Sequence, residues 1–157
     1  MKKTKTPKKK KQPSKKQLRK KLWELCKQIV RKRDGNSCFI CRRGGLEGAG
    51  WHTGHLIPSS TCGLYLRYDL RNLSSNCYNC NINLGGNGAL YLRRVEEVYG
   101  KDFVDQIIKD KQIISNDGKL FYERRIRDYQ EILSWDKYKL MDFTRTSFRD
   151  RFQPDNF

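Results

Sequence analysis

The chain has 157 residues, with 34 Lys or Arg against 17 Asp or Glu, a formal charge of +17, 36% hydrophobic residues and a mean hydropathy of −0.88. Such a chain builds one domain with a small core, and its charge favours a polyanionic partner, nucleic acid first, because cations that neutralise phosphates release counterions. The absence of an apolar run of about 18 residues, and of an apolar h-region behind the basic start, speaks against a membrane partner or a secretory leader and for a soluble, cytoplasmic protein.

In chain order, residues 1–16 are Lys-rich with Pro7, Pro13 and Ser14, a composition that cannot bury apolar surface and reads as a disordered basic arm. Its densest run, Lys8, Lys9, Lys10 and Lys11, is a candidate contact to DNA phosphates. A folded domain is expected over 17–143. It opens on an amphipathic helix from Gln17 to the Asp34-Gly35-Asn36 turn, with Leu18, Leu22, Leu25, Cys26, Ile29 and Val30 at helical spacing. Cys26 lies on the apolar stripe and reads as a buried thiol.

A first Cys-x2-Cys knuckle, Cys38 and Cys41, is followed by a loop with Gly44, Gly45, Gly48 and Gly50, and then by a strand from Trp51 to Ile57 that stops at Pro58. Residues 59–62 read as a turn. Leu64 to Tyr68 has strand-like composition and is expected to pair with the 51–57 strand. The second knuckle, Cys77 and Cys80, should open a short helix that the glycines at 85, 86 and 88 end. Helices are predicted over 89–99 and 102–111, split by Gly100, and over 119–138 after the Asn116-Asp117-Gly118 turn. The last of these carries Leu120, Ile126, Tyr129, Ile132 and Leu133 along one side, a packing stripe. Residues 144–157 form a tail without an informative pattern, and no internal repeat is visible.

The four knuckle cysteines, with a 35-residue insert between the pairs, have the spacing of a tetrahedral zinc site. Four thiolates leave no open position for water, so that Zn2+ is expected to be structural, helping to hold a thin core. Both histidines of the chain lie inside the insert. A nuclease needs a base to deprotonate water and a divalent cation to stabilise charge at the phosphate. His55, on a strand that ends at a proline, suits the base, and Asn72 is expected to hydrogen-bond it and set its tautomer. Asn81, directly after Cys80, places an amide oxygen where it can ligate Mg2+ or Mn2+. Arg67, Arg71, Arg93 and Arg94 are candidate phosphate contacts, against the alternative of a solvated basic surface. Tyr65, Tyr68 and Tyr78 read as packing residues.

The order Cys-x2-Cys, Gly54-His55, Arg67 and Asp69 to Asn72, then Cys77-x2-Cys80-Asn81 resembles the HNH or ββα-metal endonucleases. Within them it is most similar to the NinG (Rap) recombination proteins of lambdoid phages, over roughly 90 residues from Trp23 to Lys111. The resemblance implies an α+β fold, a small zinc-supported, treble-clef-like ββα-metal core with flanking helices. It implies His55 as general base, Asn72 as the central Asn and Asn81 as the final metal-ligand position. Many HNH enzymes carry an acidic or His ligand immediately before the base, where this chain has Gly54. NinG-like proteins tend to have Gly there and an Asp three residues before the base, where this chain has His52. His52 is therefore open to three readings: a cation ligand, a phosphate contact, or a strand residue beside Trp51. Asp69 is a further ligand candidate, against a capping role.

The implied activity is hydrolysis of DNA phosphodiesters in branched recombination intermediates of a phage or prophage. The rival readings are a sequence- or end-directed HNH nuclease of homing, packaging or defence, and a non-catalytic zinc-stabilised nucleic-acid binder. The oligomeric state is left open, a homodimer included.

Overall fold

The computed structural model describes residues 12–146. Lys8 to Lys11, most of the expected arm and the end of the expected tail lie outside the described residues.

The first helix, α1 (Lys15–Asp34), begins two residues before the expected start, because Ser14 caps it. The Ser14 hydroxyl accepts from the Gln17 amide and the Gln17 side chain accepts from the Ser14 amide, a reciprocal capping box. At the other end the Gly35 amide donates to the Arg31 carbonyl, with Gly35 at φ 71°, a conformation open to glycine. Leu18, Leu22, Leu25, Cys26, Ile29 and Val30 are all buried, as their spacing requires. Each large aliphatic residue so buried contributes roughly 1.5–3 kcal/mol.

The sheet has two antiparallel strands, β1 (Trp51–His55) and β2 (Leu73–Cys77), paired Trp51 with Cys77 through His55 with Leu73. The partner of β1 is therefore not the 64–68 segment. Gly63–Arg67 forms a short helix, α2, and a 3-10 turn at Leu70–Asn72 leads from it into β2. Tyr65 and Leu66 are both buried from one turn of helix. Every residue of β2 is buried, which is what holds the weakly strand-forming Leu-Ser-Ser-Asn-Cys segment extended.

After the second knuckle the expected helix is a single π-helical turn, Asn79–Asn83. Then follow α3 (Gly88–Tyr99), α4 (Lys101–Asp110), α5 (Lys119–Leu133) and α6 (Lys137–Thr146). The helix expected over 119–138 is thus two: the Ser134 hydroxyl bonds back to the Glu131 carbonyl, and Asp136 accepts from the Lys139 amide to start α6. Leu120 is 51% exposed and Tyr122 takes its place on the buried stripe.

Two clusters form the core. One packs α1 against α5, Leu140 and Phe143 of α6, and Tyr68, Leu70 and Leu73. The other gathers the knuckles with Leu56, α2, α3 and α4. The hairpin lies where the two meet, so one face of β1 looks toward α1 and the other toward the turn after the second knuckle. Among the described residues no helix is long and apolar enough to cross a membrane.

Candidate functional site

Cys38, Cys41, Cys77 and Cys80 come together with their Sγ atoms all within 4.8 Å of one another, and Cys41 Sγ is 3.8 Å from Cys77 Sγ. Zinc–sulfur bonds of about 2.3 Å in a tetrahedron give a sulfur separation of about 3.8 Å, so the donor set fits Zn2+. The Phe39 amide donates to the Ser75 carbonyl, which ties the first knuckle to β2, while β2 itself ends on Cys77. The Cys80 amide donates to Cys77 Sγ and the Asn87 amide group to Cys80 Sγ, contacts that favour thiolates. Burial pushes the Cys38 thiol up, and the Cys80 thiol up to about 12, whereas Cys77, against its own burial, is held below its usual value by hydrogen bonds from the Cys80 amide and the neighbouring thiols. Anions here therefore call for a cation, which a structural metal supplies.

His52 and His55 go to opposite faces of β1, as a separation of three along a strand dictates. On the α1 side, the His55 imidazole lies flat against the Trp23 indole, with ring centroids 5.4 Å apart and planes 3° from parallel. His55 Nε2 is 3.0 Å from the Arg67 carbonyl oxygen. A carbonyl only accepts, so Nε2 carries the proton and Nδ1 is left with a basic lone pair and no partner among the described residues. Burial holds the His55 pKa below its usual value, and the Arg67 charge adds to this against the opposing hydrogen bond to the Arg67 carbonyl. The imidazole is neutral near pH 7. It borders an open cleft of about 390 Å3 with Trp23, Ser59, Ser60, Arg67 and Tyr68.

Asn72 does not hold His55. Its Oδ1 accepts from the Ile57 amide and its Nδ2 donates to the carbonyls of Ile57 and Leu66. A completely buried side-chain amide thus locks the segment after β1 to the end of α2, and α2 presents the Arg67 carbonyl that sets the tautomer. The role expected of Asn72 falls to a main-chain group because the Asn72 amide is saturated by the main chain.

On the opposite face, the His52 ring has both nitrogens engaged, Nε2 with the Ala49 carbonyl at 2.9 Å and Nδ1 with the Asn81 amide nitrogen at 3.1 Å. His52 therefore holds Asn81 in place, its edge set against Tyr78. Asn81 Oδ1 lies over Gly54: a Cβ on residue 54 would sit 2.7 Å from it and 1.9 Å from Asn76 Nδ2. Asn76 is completely buried, its Oδ1 accepts from the Ser74 hydroxyl, and its Nδ2 has no partner among the described residues. The side chain that residue 54 lacks leaves a cradle occupied by two amides. The unpartnered Asn76 Nδ2 is a buried donor and calls for an acceptor, so Asn81 Oδ1 is the cradle atom that could ligate a divalent cation. With no carboxylate in the set, the cradle does not fit a cation caged by protein alone.

Of the arginines, Arg71 is buried and forms ion pairs with Asp69 at 2.5 Å and Asp110 at 2.7 Å, so it is structural and not a phosphate contact. Asp69 also accepts from the Arg71 amide, capping the 3-10 turn, and is no cation ligand. Arg93 and Arg94 both pair with Glu97, and Arg94 also donates to the Phe39 carbonyl. Arg67 donates to the Ser59 carbonyl at the cleft wall. Tyr65 and Tyr68 are buried, whereas Tyr78 is half exposed. Sequence reasoning missed Trp23 and Asn76. The register could have found Asn76, since it lies opposite His52; nothing local singles out Trp23.

The fold and site define a small α+β protein, mostly helical, whose four clustered cysteines are arranged to hold a structural metal ion such as zinc around a two-stranded hairpin. The family described as bacteriophage lambda NinG protein matches residues 1–139, and the chain belongs to that family. No curated protein and no solved structure matches the chain.

Proposed function

We propose that this phage recombination-related protein is a metal-dependent DNA endonuclease, acting on branched intermediates in the cytoplasm of a phage's or prophage's host. The family supplies the setting. The observation that carries the chemistry is His55, a neutral imidazole with its tautomer set and an unpartnered Nδ1 beside an open cleft. His55 Nδ1 takes a proton from water, the hydroxide attacks phosphorus, and the bond to the 3′ oxygen breaks as that oxygen takes a proton from solvent, after which the imidazolium returns its own proton to water. Arg67, at the cleft, balances phosphate charge. Mg2+ or Mn2+, if ligated by Asn81 Oδ1, would supply further charge stabilisation at the phosphate. Gly54 and His55 are consecutive, so cradle and base lie at the same end of β1 but on its opposite faces, and one phosphate meets both only around the end of the strand.

The uncompensated positive charge and the lack of a carboxylate in the cradle favour one rival, a zinc-stabilised binder of nucleic acid without catalysis. Incubation with branched, nicked and linear DNA in Mg2+ or Mn2+ separates the two. Selective cutting of branched DNA is expected. His55→Ala should keep zinc and DNA affinity yet lose roughly 100-fold or more in rate, the scale of a lost positioned base. Asn81→Ala should lose rate that added Mn2+ partly restores. A wild-type protein that binds DNA and cuts none of the three would establish the binder, and preferred cutting of linear duplex at one sequence would move the substrate class.

A further inference from the structure

His55 is held by one hydrogen bond and one ring contact. A single hydrogen bond to the Arg67 carbonyl fixes a direction in the imidazole plane but leaves the ring free to rock about the line from Nε2 to the oxygen. The parallel face of Trp23 removes that freedom, since any rock drives the imidazole into the indole. The indole in turn stands on a rigid support. It projects from the capped, 20-residue α1, whose neighbouring Leu22 and Cys26 are fully buried.

Trp23 does not have the setting of a residue kept only for the core. It is partly buried, lies at the margin of the cluster that α1 and α5 form, and lines the cleft together with His55, Ser59, Ser60 and Arg67. Arg67 is the charged group at this cleft, and its guanidinium is engaged with the Ser59 carbonyl.

We propose that Trp23 is a positioning residue for the His55 imidazole, holding the ring plane while the Arg67 carbonyl holds its tautomer. The consequence for turnover rests on the nuclease reading; the consequence for the ring does not. Misplacing a reacting group by about 1 Å is enough to lower a rate by roughly 100-fold. Loss of the stack should therefore act on kcat, with KM nearly unchanged, because DNA binding is spread over many cationic side chains.

The test uses the full zinc-loaded chain with Trp23→Phe, which keeps a flat ring, and Trp23→Leu, which keeps apolar bulk without one. The protein has two histidines, so nitrogen NMR resolves both rings, with His52 as the internal control. All three proteins should show the Nε2–H tautomer at His55, which the Arg67 carbonyl sets; wild type and Trp23→Phe should give sharp His55 ring signals, whereas Trp23→Leu should broaden and shift them as the ring plane rocks, with His52 unchanged. In cleavage, Trp23→Leu should lose about 10-fold or more in kcat at constant KM, and Trp23→Phe should stay within about threefold of wild type. If Trp23→Leu loses zinc, Trp23→Gln, polar and long, takes its place. His55 ring signals in the stack-free variant as sharp and unshifted as in wild type, or equal losses in the phenylalanine and leucine variants, overturn the proposal. Wild-type protein that cuts no DNA overturns the nuclease reading instead, and the NMR comparison still decides the role of Trp23.

Discussion

Replacing Gly54 by alanine tests how tightly the amides of Asn76 and Asn81 close over β1. In a strand, alanine for glycine normally stabilises by about 0.5–1 kcal/mol through the lost freedom of the unfolded chain. Gly54 is not among the positive-φ glycines, so its backbone accepts a side chain without strain. Against this, the new Cβ would lie 1.9 Å from Asn76 Nδ2 and 2.7 Å from Asn81 Oδ1. Asn81, partly exposed, can move aside, at the expense of its bond to His52. Asn76 is completely buried and has nowhere to go without giving up its bond from Ser74, worth about 1 kcal/mol, on top of about 1–3 kcal/mol for overpacking. The net expectation is a loss of about 2 kcal/mol, or about 4–8 °C in Tm for a domain of this size. Urea unfolding of the zinc-loaded protein measures it. A second variant, Gly54→Ala with Asn76→Ala, should be less than additive, because removing the amide removes the collision. Gly54→Ala protein as stable as wild type, or more so, would refute the closed cradle.

Removing zinc with a strong chelator, or replacing Cys77 by serine, should unfold much of the domain, since the four thiolates join β2 to the first knuckle; full helical content in metal-free protein by circular dichroism would contradict this. Arg71→Ala should destabilise by about 3–5 kcal/mol by leaving Asp69 and Asp110 buried without their cation, while the salt dependence of DNA binding stays unchanged; a flattened salt slope would make Arg71 a phosphate contact after all. The His55 pKa is depressed in the folded protein, so the stability it confers is present above the unfolded value of about 6.5 and is lost as pH falls through the lower folded value. His55→Asn should therefore unfold with a weaker dependence on pH below about 6.5 than wild type, and identical pH profiles of the denaturation midpoint would remove burial as the cause of the shift.

The knuckles were legible in the sequence because four thiolates at Cys-x2-Cys spacing have few other uses, and the folded chain does gather them. The buried face of α1 was legible for a similar reason: a stripe at helical period over 20 residues has one way to be buried. So were the opposed directions of His52 and His55, which follow from the two-residue period of a strand. Shorter segments were decided by what surrounds them. Leu64 to Tyr68 has the composition of a strand, yet it became a helix because one helical turn buries both Tyr65 and Leu66, while Leu73 to Cys77, poor in strand formers, took the place beside β1 because both its faces are covered. The long-range polar contacts were equally out of reach. Whether an arginine meets phosphate or Asp110, whether Asn72 meets His55 or the Ile57 main chain, and which ring lies against His55 all depend on residues 15 to 39 positions apart. No local pattern encodes such pairings; they exist only once the core has set the elements at fixed distances, and that is where the tautomer of His55 and the cradle at Gly54 were determined.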